Sequence, residues 1–288
     1  MKKYITEKQL EDFREYLYEE EKSAATIQKY MCDLKKLASF MGEQEVTKKK
    51  VIEYKEMLRH GNRYQLSSIN SFLTASNCFF EYMGWYELKV KTFRIQREPF
   101  LPESRNLTKE EYKKLVLTAK SQGQGRLSLI LETICATGIR VSELKELTVA
   151  GVKRGTVGIY CKGKSRQVLI PVALQKKLLY YAGKNGIRKG LVFRTAGGRP
   201  IDRSNIWKQM KALCKQAKVK EEKVFPHNLR HLFAKSFYQI EKDIAKLADM
   251  LGHSNIETTR IYIKTTCYEH RRQLEHMGLV SEVIGDTT

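Results

Sequence analysis

Several things are missing from this 288-residue chain, and each absence narrows its function. No uncharged apolar run approaches the roughly 18 residues that a membrane helix needs. After the basic start Met1-Lys2-Lys3-Tyr4, acidic and polar residues stand where a secretory signal places its apolar stretch, so a cytoplasmic protein is expected. There is no Cys-x-x-Cys pair: Cys32, Cys78, Cys135, Cys161, Cys214 and Cys267 are scattered, mostly among apolar neighbours, which predicts buried, reduced thiols. His227 and His231 stand four apart, but no convincing third ligand lies nearby, so neither a metal nor another cofactor is expected. No constellation of paired carboxylates suggests magnesium-dependent chemistry. Acidic residues are outnumbered throughout, 32 Asp and Glu against 53 Lys and Arg, a net charge of +21. Such an excess supports strong, salt-sensitive binding of a nucleic acid, because each phosphate neutralised releases condensed counterions. An acidic membrane face would call for a basic amphipathic helix with a strongly apolar side, and the sequence has none.

What is present reads as two domains, mainly α with a small antiparallel sheet in the second. Residues 1–98 carry four helical patterns. Thr6 and Gln9 form a capping box ahead of Leu10, Phe13 and Leu17 on one face. Ile27, Tyr30, Met31, Leu34, Leu37, Ala38 and Met41 recur at helical spacing. Thr47 and the lysines Lys48, Lys49 and Lys50 open a third helix with Val51, Tyr54 and Leu58, and a fourth runs from about Ser68 to a glycine stop at Gly84. Periodicity then fails between Lys89 and Asn106, where Pro99 and Pro102 interrupt a basic stretch, and residues 99–106 are read as the linker. Thr108 and Glu111 cap the first helix of the second domain, residues 107–288. Leu127 to Ala136 reads as a central helix, Val157 to Ile170 as a hairpin turning at Gly163, and Leu191-Val192-Phe193 as a third strand.

Four clusters in the second domain are rich in groups that hold a phosphate. In Ala136-Thr-Gly-Ile-Arg-Val-Ser-Glu-Leu144, Arg140 emerges just beyond the glycine that ends the apolar helix, placed to grip an anion with its planar fork or simply to pair with Glu143. At the hairpin tip, Lys162 stands on a turn from which a lysine can deliver a proton, although turn lysines are most often merely solvated. His227 and Arg230 share a helix face after Pro226, which suits a phosphate or an ordinary polar helix start. In Leu251-Gly-His-Ser-Asn-Ile-Glu-Thr-Thr-Arg-Ile-Tyr262, Ser254 and Glu257 open a helix that carries Tyr262, by itself as consistent with a core tyrosine as with a nucleophile.

Taken together and in order, these clusters resemble the tyrosine recombinase (phage integrase) family, Xer-like or invertase-like, whose catalytic set of Arg, Lys, His, Arg, His or Trp, and Tyr has a counterpart at Arg140, Lys162, His227, Arg230, His253 and Tyr262. The resemblance is close over the second domain; the first matches the family's helical core-binding domain in helix pattern and position. It implies a site-specific recombinase that cleaves DNA through a 3′-phosphotyrosine. Arg140, Arg230 and His253 would stabilise the charge built on the nonbridging oxygens, His227 would assist deprotonation, and Lys162 would protonate the leaving 5′ hydroxyl. Glu143 is expected to orient Arg140. The covalent link keeps the energy of the broken bond, so rejoining needs neither ATP nor a metal. The resemblance further implies a monomer or weak oligomer free in solution, and a tetramer on two double-stranded DNA sites that passes through a four-way junction in integration, excision, inversion or resolution. Lys48, Lys49, Lys50, Lys89, Lys91, Arg94, Arg97, Lys164 and Arg166 are the candidate DNA contacts, with the first domain closing the other side of a clamp. The segment after Tyr262, with Leu274, Met277, Leu279, Val283 and Ile284, is read as docking on a neighbouring protomer or packing on its own domain. A type IB topoisomerase and a DNA-binding regulator that has lost the reaction are the rivals; the motif wording disfavours the first, and the complete catalytic set disfavours the second.

Overall fold

The computed structural model describes residues 2–61, 63–95, 106–161, 164–263, 271 and 274–279. The chain divides into two compact units, Met1–Arg97 and Glu98–Thr288. None of the described helices is long and apolar enough to cross a membrane.

The first unit is built from α1 (Glu7–Glu19), α2 (Ala24–Met41), α3 (Lys48–His60) and α4 (Leu66–Tyr82). Its starts follow local chemistry: Thr6 and Gln9 cap α1 reciprocally, and the hydroxyls of Ser23 and Thr47 accept backbone N–H groups at the heads of α2 and α3. The buried stripes Leu10/Phe13/Leu17, Leu34/Leu37/Met41 and Val51/Tyr54/Leu58 meet Phe72, Phe79 and Phe80 of α4, with Phe13 standing edge-on to Phe79 at 5.3 Å. Asp33 is buried on α2 because Lys29 and Ser71 both donate to its carboxylate.

The extended segment that follows α4 does not hang free. Asn77 exchanges two hydrogen bonds with the Val90 backbone, at 2.8 and 2.9 Å, and Asn70 does the same with Phe93 at 2.8 Å each. The two asparagines are seven apart, two helical turns, so one face of α4 replaces the sheet partner that this stretch lacks. The residues expected to form the linker, 99–106, lie outside the described residues apart from Asn106.

The second unit wraps around α6 (Gly125–Thr137), whose residues Leu127 to Leu131 are all buried. Around it lie α5 (Lys109–Ser121), α8 (Val172–Lys184), α9 (Arg203–Ala217) and α10 (Pro226–Glu241). A 3₁₀ turn (Val141–Glu146) and the short α7 (Val149–Arg154) lead into an antiparallel pair, β1 (Thr156–Cys161) and β2 (Lys164–Leu169). The expected third strand at Leu191–Phe193 does not form among the described residues. Leu191 makes a single bridge with Thr148, which already caps α7, so the partner chain turns into a helix before a ladder can extend. Then α11 (Ile244–Leu251) and α12 (Ile256–Ile263) close a smaller apolar cluster of Phe233, Ala234, Leu247, Leu251 and Tyr262. Of the described thiols Cys214 is buried and Cys78 and Cys135 are half-buried; Cys32 is exposed, against expectation, because it lies on the solvent side of α2.

Candidate active site

Two glycines in left-handed conformation bring the site together. Gly138 (φ +64°) ends α6 and Gly252 (φ +65°) ends α11, and each turns the chain so that its neighbours face α10. Arg230, on the first turns of α10, is 1% exposed and is the largest fully buried side chain among the described residues. Its guanidinium donates to the Gly138 carbonyl and, at 2.6 Å, to the Leu251 carbonyl. These carbonyls are among the last that α6 and α11 leave without helical partners, and they carry the negative ends of the helix dipoles, so they compensate part of the cost of burying the charge. Burial, followed by the nearby Arg140, still pulls Arg230 down to about 10, which leaves it protonated at neutral pH. Its Nε–H is buried with no hydrogen-bond acceptor among the described residues.

Arg140 follows Gly138 directly. Glu143 accepts from the Arg140 backbone N–H and from its guanidinium, both at 2.8 Å, and so fixes the side chain while leaving it about a third exposed. Glu143 itself is buried, and its carboxyl is held below the usual range: burial opposes ionisation, but the hydrogen bonds from Arg140 and the charges of Arg166 and Arg140 outweigh it.

Arg166, one of the candidate DNA contacts, is turned towards the interior of the second unit. It is the cross-strand partner of buried Ile159, and Val168 two places on is buried, so the alternation of β2 turns Arg166 inward. There it donates to Glu143 at 2.6 Å and to the Met250 carbonyl at 2.9 Å, tying the hairpin to the Arg140 turn and to the end of α11. Lys162 lies outside the described residues, as do Arg97 and the side chain of Lys164. In the first unit Lys48 donates to the Lys89 carbonyl and Lys89 pairs with Glu81 at 3.0 Å, while Lys49, Lys91 and Arg94 are exposed and Lys50 is half-buried.

Three imidazoles surround Tyr262, which is 5% exposed and sits on the second turn of α12. The phenol lies 3.1 Å from His227 Nε2. His227 opens to solvent, yet desolvation on its inner side and the neighbouring Arg230 hold it below the ordinary imidazole value. It is therefore a neutral acceptor for the phenol proton at neutral pH. His253 stands with Nε2 at 3.0 Å from Arg230 and Nδ1 at 2.9 Å from Thr259. His231 stacks on the Tyr262 ring at 4.3 Å, hydrogen-bonds the Tyr262 backbone and is lowered to about 4, mainly by burial. The sequence reading missed two of these groups. In the sequence His231 stands out solely as half of a possible metal pair, though its spacing four after His227 puts both on one face of α10; Thr259 carries no local signal at all.

The fold and site together define a phosphoryl-transfer protein built around a buried arginine and a tyrosine, and the chain belongs to the phage integrase family. The Phage integrase family model matches residues 105–268, and the model of its N-terminal SAM-like domain matches residues 10–86. Among curated relatives, Tyrosine recombinase XerA of Pyrococcus furiosus is 30% identical over 96% of this chain and 96% of its own length. Tyrosine recombinase XerD of Halalkalibacterium halodurans is 30% identical over 84% and 87%. The same fold is seen in the crystal structure of XerH site-specific recombinase bound to its difH substrate, with a TM-score of 0.69, 21% identity, and coverage of 94% of this chain and 85% of that one.

Proposed function

We propose that this protein is a site-specific DNA recombinase in which Tyr262 attacks a backbone phosphate. The observation that carries the reading is the pairing of the Tyr262 phenol with neutral His227 at 3.1 Å, beside an arginine buried on two helix-end carbonyls. As the phenol oxygen bonds to phosphorus, its proton passes to His227 and the bond to the 5′ oxygen breaks. Lys162, assigned by resemblance, gives that oxygen its proton. Arg140, Arg230 and His253 offset the charge that develops on the nonbridging oxygens, a larger gain in the transition state than in the ground state. A new 5′ hydroxyl then reverses the sequence on the partner strand.

The substrate is double-stranded DNA carrying recombination sites, bound by residues 1–98 and 107–288 as two DNA-binding domains. Four protomers act on two sites through a four-way junction, and the protein is nucleoid-associated in the cytoplasm. Exposed Lys49, Lys91 and Arg94 contact phosphates. The tail beyond Tyr262 docks on a neighbouring protomer; most of it lies outside the described residues.

A trapping assay tests this reading. Wild-type protein and Tyr262→Phe are incubated with nicked duplexes carrying candidate sites, in EDTA and without ATP. A covalent protein–DNA band is expected with wild type and none with Tyr262→Phe. A folded protein that binds its site and gives no adduct would instead be a regulator, and relaxation of supercoiled plasmid without exchange of partners would make it topoisomerase-like.

A further inference from the structure

The hydrogen bonds of His253 specify its tautomer. A guanidinium has donors and no acceptor, so the Arg230 contact at 3.0 Å requires His253 Nε2 to accept. A neutral ring then carries its proton on Nδ1, and the hydroxyl of Thr259, 2.9 Å away, accepts it. Burial and the surrounding arginines keep the ring neutral, with its pKa lowered to about 4, so which nitrogen holds the proton matters. Thr259 is wholly buried and lies one turn ahead of Tyr262 on α12.

In this arrangement His253 has no proton on Nε2 to offer a phosphate, whereas the role assigned to it above is donation. The Thr259 hydroxyl reconciles the two states. It accepts from Nδ1–H, and after rotation about its C–O bond it donates to a bare Nδ1, so it satisfies either tautomer without moving the ring. We propose that Thr259 is a positioning residue that holds the His253 ring in place through both of its neutral tautomers. It accepts from Nδ1–H in the DNA-free protein and donates to Nδ1 when a bound phosphate draws the Arg230 guanidinium and takes a hydrogen bond from Nε2–H. The exchange is neutral, one proton leaving Nδ1 for solvent and one arriving at Nε2. Valine at this position would match the shape and lose both hydrogen bonds. Where a histidine ligates a metal, loss of the group that orients it through its second nitrogen typically costs about 10- to 100-fold, and a loss of that order is expected here.

The proposal rests on His253 acting as a donor to phosphate, and the experiment separates the two claims. Single-turnover cleavage of a nicked duplex and DNA affinity are measured for wild type, Thr259→Val, Thr259→Ser, His253→Phe and the double variant Thr259→Val/His253→Phe. Histidine ¹⁵N shifts report the tautomer of His253 in the DNA-free protein. Cleavage by Thr259→Val is expected to fall about 10- to 100-fold at unchanged affinity, with most of the rate restored in Thr259→Ser. The valine is expected to add no further loss in the His253→Phe background, and the Nδ1–H tautomer of His253 is expected to persist in Thr259→Val, because Arg230 still requires Nε2 to accept. A Thr259→Val protein that cleaves at the wild-type rate while His253→Phe is slow would overturn the role of Thr259. So would an equal loss from the valine with or without His253, since that is the mark of packing alone. His253→Phe cleaving at the wild-type rate would remove the donor reading, and the proposal with it.

Discussion

At the scale of single residues, the site is a contest between burial and charge, and the histidines yield where the arginine does not. Arg230 keeps its proton because a guanidinium lowered to about 10 still lies well above neutral pH; His231 and His253 are held at about 4 by desolvation and by neighbouring cations. This has a consequence for stability. Their folded pKa values lie below the ordinary imidazole value of 6.5, so as pH falls below that value the unfolded chain binds protons that the folded protein refuses. The stability contributed by neutral His231 and His253 is fully present above about pH 6.5 and is lost progressively down to about pH 4. Urea midpoints measured across that window should decline. His231→Phe, which keeps a ring against Tyr262 and cannot titrate, should flatten the decline; an unchanged slope would mean that other groups govern it.

At the scale of elements, the candidate catalytic groups among the described residues ride on the ends of helices and in the turns next to them rather than on long loops. The chain reversal after α6 has little room to vary. A Cβ on Gly138 would lie 2.5 Å from Phe233 Cδ1 and 3.1 Å from Leu251, at a φ of +64° that L-residues adopt with strain. Gly138→Ala is therefore expected to destabilise the second unit by roughly 2–5 kcal/mol, the sum of left-handed strain and overpacking. It should also reduce adduct formation, because the Gly138 carbonyl is an anchor of Arg230. Denaturant unfolding together with the trapping assay checks both. A stable, fully active alanine variant would show that the turn relaxes freely. The hairpin supports the site in a comparable way, through Arg166 reaching Glu143 and the Met250 carbonyl.

At the scale of the whole molecule, the excess of 53 basic over 32 acidic residues sets how the protein meets its substrate. Ion pairs inside the protein engage part of that excess, such as Lys120 and Lys177 on Glu132, and exposed residues such as Lys49, Lys91 and Arg94 remain available to phosphates. Binding to DNA should fall linearly in a plot of log affinity against log salt. A protein that neutralises six or more phosphates should lose about a thousandfold or more between 50 and 200 mM salt. Fluorescence anisotropy with a labelled site measures this, and a slope near zero would exclude a phosphate-dominated interface.

Much of this was legible in the sequence, for physical reasons that can be named. Helix starts depend on a hydroxyl or amide within a few residues, so Thr6, Thr47 and Thr108 revealed them. Apolar stripes at helical spacing located the faces of α1 to α4, a nearly continuous apolar run located the central α6, and the order of Arg140, His227, Arg230, His253 and Tyr262 pointed to the candidate chemistry. The parity of β2 also held the inward direction of Arg166, since it shares a face with Val168. What lay beyond the sequence were the contacts between distant segments. The carbonyls that hold Arg230 come from residues 92 and 21 positions away. The stacking of His231 on Tyr262, the tautomer of His253 and the docking of residues 90–93 on α4 arise in the same way. The sequence by itself determined local polarity, helix ends and the kinds of reactive group. Tertiary structure alone decided which groups share one buried volume, because desolvation and hydrogen-bond pairing act through space, between atoms that the chain brings together only when it folds.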